Sequence, residues 1–271
     1  MEAYLGKTAV VTGGASGLGR ELCLELVMAG AKVFVSDINL EGARKTVEMI
    51  TDAGGRAEAV RTDVRNQEEM AALVDRVAGE GPLDYMFNNA GIIMFGEFRD
   101  MSYDDWRNFV ESDVMSVIYG TRCAYEVMIR QGHGHIVNTA SIFGVFPFTL
   151  ATGYTTVKQA VVGLSLALRP EAAGLGVKVS VACPGSIDTE VRKNYKVLKA
   201  DREAFNSYIQ KQIAPNPAAR KILKAVSRNK ALIVFPWYDA IFYWLYRVYP
   251  PAYEWWQRPL VSMFRKRLRQ E

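Results

Sequence analysis

Short apolar runs alternate with amphipathic stretches through the first 190 residues of the chain. The short runs are rich in β-branched residues, as buried strands are, and the stretches between them repeat apolar residues at helical spacing. The predicted strands cover residues 8–12, 32–36, 57–61, 83–88, 135–140, 177–183 and 231–235, and the predicted helices cover residues 20–29, 41–53, 68–78, 103–130 and 154–173. Such alternation predicts an α/β fold, a doubly wound parallel sheet of about seven strands covered on both faces by helices.

Composition is that of a globular chain with a large core, since 49% of its 271 residues are hydrophobic. Three widely spaced cysteines, Cys23, Cys123 and Cys183, lie in apolar segments and indicate reduced thiols. No signal-peptide pattern precedes the first predicted strand, so we expect a cytoplasmic protein. His133 and His135 lack an accompanying Cys or carboxylate cluster. We therefore expect them in a solvent-exposed turn, and expect neither a metal site nor a nucleic-acid partner.

A glycine-rich loop follows the first predicted strand, where residues 12–19 read Thr-Gly-Gly-Ala-Ser-Gly-Leu-Gly. Glycines allow a sharp turn and leave room for a pyrophosphate at the N-terminus of the next helix. An ordinary glycine-rich turn is the alternative. The strand before the loop, the helix after it and Asp37 at the end of the second strand favour a Rossmann-type dinucleotide site. A carboxylate at Asp37 would bind ribose hydroxyls and repel a 2′-phosphate, which favours NAD over NADP.

Further motifs follow in order along residues 5–190. They are Asp63-Val64, Asn88-Asn89-Ala90-Gly91, Ser141, Tyr154-x3-Lys158 and Pro184-Gly185-Ser186-Ile187-Asp188-Thr189. With the Gly-x3-Gly-x-Gly spacing of the loop, this series resembles the short-chain dehydrogenase/reductase family. The resemblance implies that the cofactor contacts come from Gly13, Ser16, Gly17, Leu18, Gly19, Asp37, Asp63, Val64, Asn89, Ala90, Gly91, Tyr154, Lys158, Pro184, Gly185, Ile187 and Thr189.

Tyr154 and Lys158 are four residues apart on one predicted helix, so their side chains share a face. A phenol ordinarily has a pKa near ~10 and is a poor base at neutral pH, but a nearby ammonium lowers that pKa. The family resemblance implies that Tyr154 exchanges the hydroxyl proton of the substrate. It also implies that Lys158 lowers the pKa of Tyr154 and binds the nicotinamide ribose, and that Ser141 orients the substrate oxygen. Chance spacing and a simple strand cap are the alternatives for each residue taken alone.

One position departs from the family pattern. The fourth catalytic residue of the family is an asparagine on the long helix, and counting from Trp106 places that position at Asp113. The family asparagine acts largely through its backbone carbonyl, which an aspartate also has. An ionised carboxylate could instead pair with Lys158 and change its electrostatic effect. We therefore include Asp113 among the catalytic candidates.

Two segments outside these motifs bear on the substrate. We divide the chain into a catalytic domain, 1–235, and an amphipathic extension, 236–271. Within the first, residues 186–229 resemble the lid that covers the substrate in the family, and the lid carries the apolar residues Val191, Tyr195, Val197, Leu198, Phe205, Tyr208 and Ile209. An amphipathic lid predicts an apolar pocket.

The extension is both aromatic and basic. Residues 228–271 hold four of the five tryptophans, and eight Lys or Arg against three acidic residues give them a net charge of +5, whereas the whole chain has +4. Aromatic and basic residues on adjacent helix faces are typical of a helix in a membrane interface. Three interpretations stay open: peripheral membrane contact through 236–271, packing over the active site or a partner subunit, and a loosely ordered tail.

These features together predict an NAD-dependent oxidoreductase that interconverts a lipophilic secondary alcohol and its ketone. One alternative is an NADPH-preferring carbonyl reductase of the same fold. The carboxylate of Asp37 disfavours it, because it would repel the 2′-phosphate of NADPH. The other is a non-catalytic nucleotide-sensing scaffold, against which Ser141, Tyr154 and Lys158 speak. The family resemblance also implies a homodimer or homotetramer.

Overall fold

Seven parallel strands form the central sheet of the computed structural model, which describes residues 2–189, 195–206 and 212–270. The strands are β1 Thr8–Thr12, β2 Lys32–Asp37, β3 Arg56–Arg61, β4 Tyr85–Asn88, β6 Gly134–Thr139, β7 Val177–Pro184 and β9 Leu232–Phe235. Their order across the sheet is β3-β2-β1-β4-β6-β7-β9. The prediction of a seven-stranded, doubly wound parallel sheet is confirmed.

Helices cover both faces of this sheet, as strands with buried side chains on both faces require. They are α1 Gly17–Met28, α2 Leu40–Asp52, α3 Gln67–Glu80, α4 Tyr103–Phe109, α5 Ser116–Gln131, α6 Thr152–Ala173, α7 Arg202–Asn206, α8 Pro215–Ser227, α9 Trp237–Val248 and α10 Pro250–Met263. The order in which strands are added to the sheet changes after β3: β2 and β3 lie on one side of β1, and β4 and the later strands lie on the other. β1 and β4 are parallel, hydrogen-bonded neighbours. Ligands bind at the carboxyl ends of strands beside such a change of order, and this is where the glycine-rich loop lies.

The long helix expected at residues 103–130 is interrupted. A capping box between Ser102 and Asp105 starts α4, and a π-helical turn, Val110–Met115, separates it from α5. The extra residue of a π-turn re-aims the side chains that follow it and is frequent at functional sites. The interruption places Asp113 fully inside the protein.

A second, two-stranded sheet lies on the substrate side of the molecule. It pairs β5, Met94–Phe95, with β8, Lys196–Val197, in parallel. Both strands are too short to give a pattern, and the sequence did not predict them. Of the lid residues singled out, Tyr195, Leu198 and Phe205 are buried and Val197 is partly buried, whereas Val191, Tyr208 and Ile209 lie outside the described residues.

The C-terminal segment folds back over this same side. After α9 and α10 it ends in a π-helical turn, Phe264–Leu268. Tyr253 is buried against Ile142 and Phe146, and its hydroxyl donates a 2.8 Å hydrogen bond to the carbonyl oxygen of Pro147. The extension is therefore packed on the loop that follows β6.

His135 corrects one expectation. It is buried in β6 rather than exposed in a turn, and its Nε2 lies 2.8 Å from Ser180 Oγ. Because Ser180 gives its own proton to the carbonyl oxygen of Lys230, Nε2 must be the donor and His135 the neutral Nε2–H tautomer. Burial lowers the pKa of His135 to about 3. Its role is structural.

Candidate active site

The glycine-rich loop connects β1 to α1 and turns where only glycine fits easily. Gly13 and Gly17 have φ angles of +69° and +53°, and a Cβ on Gly19 would lie 2.0 Å from the carbonyl oxygen of Gly13. Ser16 begins α1 without a side-chain capping bond in the described structure, which leaves amide groups of the first turn for an anionic ligand. The loop therefore fits a pyrophosphate. The side chain of Leu18 packs in the core, so a nucleotide contact at this position would have to come from its backbone.

Asp37 ends β2 beside this loop. Its Oδ2 accepts a 3.0 Å hydrogen bond from the amide of Ala15, and its Oδ1 accepts one of 2.9 Å from the amide of Asn39. Two backbone amides thus hold the carboxylate at the place where the sequence predicted a ribose contact. Arg20 lies close by, but its guanidinium is engaged by the carbonyl oxygen of Ala15 and by Thr46 Oγ1.

The ends of β1 and β4 are joined by Thr12. Its Oγ1 accepts hydrogen bonds from the amides of Asn89 and Ala90, at 2.9 and 3.1 Å, and its carbonyl oxygen accepts one from Asn89 Nδ2 at 3.1 Å. A Cβ on Gly13 would lie 3.0 Å from Ala90 Cα. The predicted nucleotide residues of the first and fourth strands therefore lie side by side.

Residues after β7 complete this edge of the sheet. Thr189 lies against the loop, with its Cβ 2.9 Å from the position that a Cβ on Gly17 would take. Ile187 forms a bridge to Ile213, and the amide of Gly185, next to Pro184, donates a 2.7 Å hydrogen bond to Phe235.

Asp63 and Val64 follow β3 farther along the same edge. Both carboxylate oxygens of Asp63 accept hydrogen bonds from Arg65, at 2.9 and 2.7 Å, and this pairing keeps the pKa of Asp63 below its usual range. Val64 packs against the core. Asp63 is thus already paired in the structure, so an adenine contact there would have to coexist with Arg65.

Ser141, Tyr154 and Lys158 meet at the carboxyl end of β6. The hydroxyl of Ser141 is hydrogen-bonded to that of Tyr154. Lys158 Nζ lies 5.6 Å from the centre of the Tyr154 ring and donates a 3.2 Å hydrogen bond to the carbonyl oxygen of Thr139. The three side chains are all buried. The structure therefore brings together the group that the sequence predicted.

Asp113 joins this group directly. Its Oδ1 lies 2.9 Å from Lys158 Nζ, and its Oδ2 accepts a 3.1 Å hydrogen bond from the amide of Ile92. A Cβ on Gly91 would lie 2.5 Å from Asp113 Oδ1, so a glycine is needed for the carboxylate to reach the lysine. The side chain of Asp113 therefore faces Lys158.

These neighbours act on the phenol in opposite directions. Burial raises the pKa of Tyr154, the positive charge of Lys158 and the Ser141 hydroxyl oppose that rise, and the negative charge of Asp113 adds to it. Burial favours the neutral form of Lys158, but Asp113 and Tyr154 together outweigh it and the pKa of Lys158 is raised. The lysine is therefore a cation whose field at Tyr154 is partly cancelled by Asp113.

The wall around Tyr154 is apolar. Its ring centroid lies 6.1 Å from that of Phe143 and 6.3 Å from that of Phe109. The apolar cluster continues through β5, the residues just before it, the loop after β6 and the lid, namely Ile92, Ile93, Met94, Phe95, Phe148 and Leu198. Such a lining suits a hydrophobic substrate.

An ion-pair cluster that the sequence did not predict ties the end of the chain to the loop after β5. We call it the arginine clamp, and it consists of Arg265 and Arg269 bound to Glu97 and Asp100. Arg265 Nε donates to Glu97 Oε1 at 2.8 Å, and Arg269 donates to Glu97 Oε2 at 2.8 Å and to Asp100 Oδ1 at 2.9 Å. Its four members come from segments far apart in sequence, so no local pattern could have predicted it.

The described residues lack two other features, a metal-binding cluster and a membrane-spanning helix. They contain no group of three or more His, Cys, Asp or Glu side chains placed to hold a metal ion. Within the same part of the chain, no helix combines the length and the apolar character needed to cross a bilayer.

Comparison with known proteins agrees with the geometry. The family model described as short chain dehydrogenase matches residues 7–198. Cyclohexanol dehydrogenase of Acinetobacter is 37% identical over 187 residues, 68% of this chain and 74% of that protein. The 3beta-hydroxysteroid dehydrogenase 2 of Eggerthella lenta is 34% identical over 189 residues, 69% of this chain and 73% of that protein.

Solved structures match over most of the chain. A short chain dehydrogenase/reductase from Burkholderia phymatum in complex with NAD has a TM-score of 0.83 and 26% identity, covering 96% of this chain and 98% of that one. An actinorhodin polyketide ketoreductase variant with NADPH has a TM-score of 0.76 and 28% identity, covering 84% and 95%. Proteins similar to this chain thus bind either nicotinamide dinucleotide.

Proposed function

The chain belongs to the short-chain dehydrogenase family, and from this premise we propose that it interconverts a lipophilic secondary alcohol and its ketone with NAD(H). It is an NAD(P)-dependent oxidoreductase of that family, so the non-catalytic alternative is set aside. The observation that carries the proposal is the buried contact of Ser141, Tyr154 and Lys158 beside an apolar wall.

Each side chain of the group has a separate task in alcohol oxidation. NAD, when bound, would supply the acceptor for the hydride that leaves the carbinol carbon. Tyr154 takes the hydroxyl proton at its phenolic oxygen, helped by the positive charge of Lys158 and the hydrogen bond from Ser141. Ser141 also orients the substrate oxygen. Reduction of the ketone reverses the proton transfer.

The nucleotide would be held by groups already described. The glycine loop supplies first-turn amides for the pyrophosphate. The carboxylate of Asp37 supplies acceptors for the ribose hydroxyls and repels a 2′-phosphate, which supports NAD over NADP. By the family resemblance, Lys158 would bind the nicotinamide ribose while its charge acts on Tyr154.

The apolar side chains around Tyr154 support the proposed substrate class. Phe143 and Phe148 are stacked 4.6 Å apart beside Tyr154, and Leu198 of the lid packs in the same cluster. Burial of alicyclic or long-chain carbon against such a wall is favourable at about 25 cal/mol per Å². The relatives named for cyclohexanol and a hydroxysteroid act on compounds of this kind.

A turnover assay tests the proposal. Purified protein with NAD should oxidise cyclohexanol, a 3-hydroxysteroid or a long-chain secondary alcohol faster than glycerol, as followed by NADH absorbance. Tyr154→Phe should lower kcat by about 10²–10⁴-fold, because it removes the proton acceptor. Tyr103→Phe, at an exposed tyrosine, is the matched control and should leave kcat unchanged. A rate in Tyr154→Phe equal to the parent's, or no turnover of any lipophilic alcohol, would refute the proposal.

A further inference from the structure

The outward face of α9 is apolar along its whole length. Five large apolar side chains with exposed fractions from 37% to 76% follow one another at helical spacing: Trp237, Ile241, Trp244, Leu245 and Val248. Residues at i, i+4, i+7, i+8 and i+11 share one face of an α-helix. We call these five residues the apolar strip.

The opposite face of α9 packs on the protein. The ring of Phe242 lies 5.0 Å from that of Trp256, and the ring of Tyr246 lies 5.5 Å from that of Tyr253. Asp239, the acidic residue of α9, is on this inner face beside Gly185. A helix on the surface of a soluble protein normally points its charges outward, whereas α9 turns Asp239 inward and exposes large apolar side chains.

Neighbouring residues enlarge the apolar strip. Tyr249 in the turn after α9 is exposed, and Trp255 on α10 is 72% exposed. Tryptophan and tyrosine combine an apolar ring with a polar group, and they are enriched where lipid headgroups meet acyl chains. Three tryptophans and a tyrosine in one exposed region fit that environment.

The chain segment that carries the strip has a positive net charge. Residues 237–270 carry Arg247, Arg258, Arg265, Lys266, Arg267 and Arg269 against Asp239 and Glu254, a net charge of +4. Arg265 and Arg269 belong to the arginine clamp, whereas Arg247, Arg258, Lys266 and Arg267 are exposed. Cations beside an aromatic face complement anionic lipid headgroups.

The same charges disfavour a second copy of the chain as the occupant. In a two-fold dimer each surface patch meets itself. A positively charged segment would then face a second copy of itself, and like charges at an interface are repulsive. An anionic lipid surface has no such penalty.

We propose that the apolar strip, together with Tyr249 and Trp255, docks on anionic membrane surfaces, with α9 lying in the interface. The 12 residues of α9 rise about 18 Å, which is less than the ~30 Å of the hydrocarbon core. Lipid binding is measured without turnover, so the test of this attachment does not depend on the reaction proposed above.

Vesicle flotation of the full-length protein tests the docking. Binding to vesicles of phosphatidylcholine mixed with phosphatidylglycerol should exceed binding to phosphatidylcholine alone and should weaken as salt rises. Ile241→Ser combined with Trp244→Ser should lower the partition coefficient about tenfold or more, because both side chains lose apolar area that would enter the interface. Turnover of a water-soluble alcohol should be unchanged in this variant.

Met28→Ser combined with Tyr103→Ser is the matched control, since both residues are exposed elsewhere on the molecule. This variant should float as the parent does. Equal flotation of the strip variant and the parent would overturn the proposal. So would a dimer, measured by sedimentation without lipid, that the strip variant abolishes while no vesicle binding is seen.

Discussion

At the scale of single residues, the contact between Asp113 and Lys158 distinguishes this site most. Two opposite charges 2.9 Å apart and shielded from water interact strongly. The carboxylate raises the pKa of Lys158, and the same negative charge raises the pKa of Tyr154, while burial raises the pKa of Asp113 itself and Lys158 opposes that rise. Asp113 thus secures the cation while it weakens the cation's effect on the phenol.

Asp113→Asn removes the negative charge and keeps the shape. A lysine ordinarily has a pKa of ~10.4 and Lys158 should stay protonated at the pH of the assay, so the pKa of Tyr154 should fall once the opposing negative charge is gone. Alcohol oxidation needs the phenolate, so the acidic limb of the pH profile of kcat/KM should move to lower pH by about one pH unit. Rates measured with the parent and the variant across pH check this. An unmoved limb would mean that Asp113 acts only through its backbone.

Asp37→Ala should relax the choice of nucleotide. Loss of an ionised hydrogen-bond acceptor costs about 1.5–3 kcal/mol, so the ratio of kcat/KM for NAD to that for NADP should fall about 10- to 100-fold. Asp52→Ala, at an exposed aspartate at the end of α2, is the matched control. Steady-state kinetics with both nucleotides decide, and an unchanged ratio would remove Asp37 from the nucleotide site.

At the scale of elements, the arginine clamp joins three segments that the sequence keeps apart. Arg269 binds Glu97 and Asp100 and forms a bridge with Ala200, and the amide of Gln270 donates a 2.7 Å hydrogen bond to Lys199 in the lid. The end of the chain therefore holds the lid against the loop after β5. Glu97 is buried, which makes these bonds stronger than ordinary surface pairs.

Arg269→Ala should loosen this junction. Glu97 keeps Arg99 and Arg265 as partners in this variant, so the loss is moderate and Tm should fall by about 2–4 °C. The KM for the alcohol should rise more than kcat falls, because the lid and not the proton-transfer group is disturbed. Calorimetry and kinetics measure both effects.

Arg258→Ala is the control for the clamp, because Arg258 forms an exposed i,i+4 pair with Glu254. Such pairs contribute about 0.3–0.5 kcal/mol, so Tm should hardly change. A loss of Tm in Arg258→Ala as large as in Arg269→Ala would contradict a specific role for the clamp.

At the scale of the whole molecule, local patterns were sufficient for the sheet and its nucleotide edge. Strand and helix periodicity places Thr12, Asp37 and Ser141 at strand ends, and parallel strands bring those ends to one edge. The π-turn, the β5–β8 pair and the arginine clamp escaped prediction, because each depends on contacts between residues distant in sequence. The sequence shows that the extension is aromatic and basic, but composition alone could not decide which of its faces packs on the protein and which is exposed.

Gly91 has a consequence for how this chain can vary. A Cβ at this position would lie 2.5 Å from Asp113 Oδ1 and 3.3 Å from Lys158 Nζ. A side chain at position 91 and the Asp113 carboxylate therefore cannot both fit in this space. In evolutionary terms the two positions form a coupled pair: a lineage that gained alanine at 91 would first have to accept a smaller residue at 113, and would lose the lysine's counter-charge on the way.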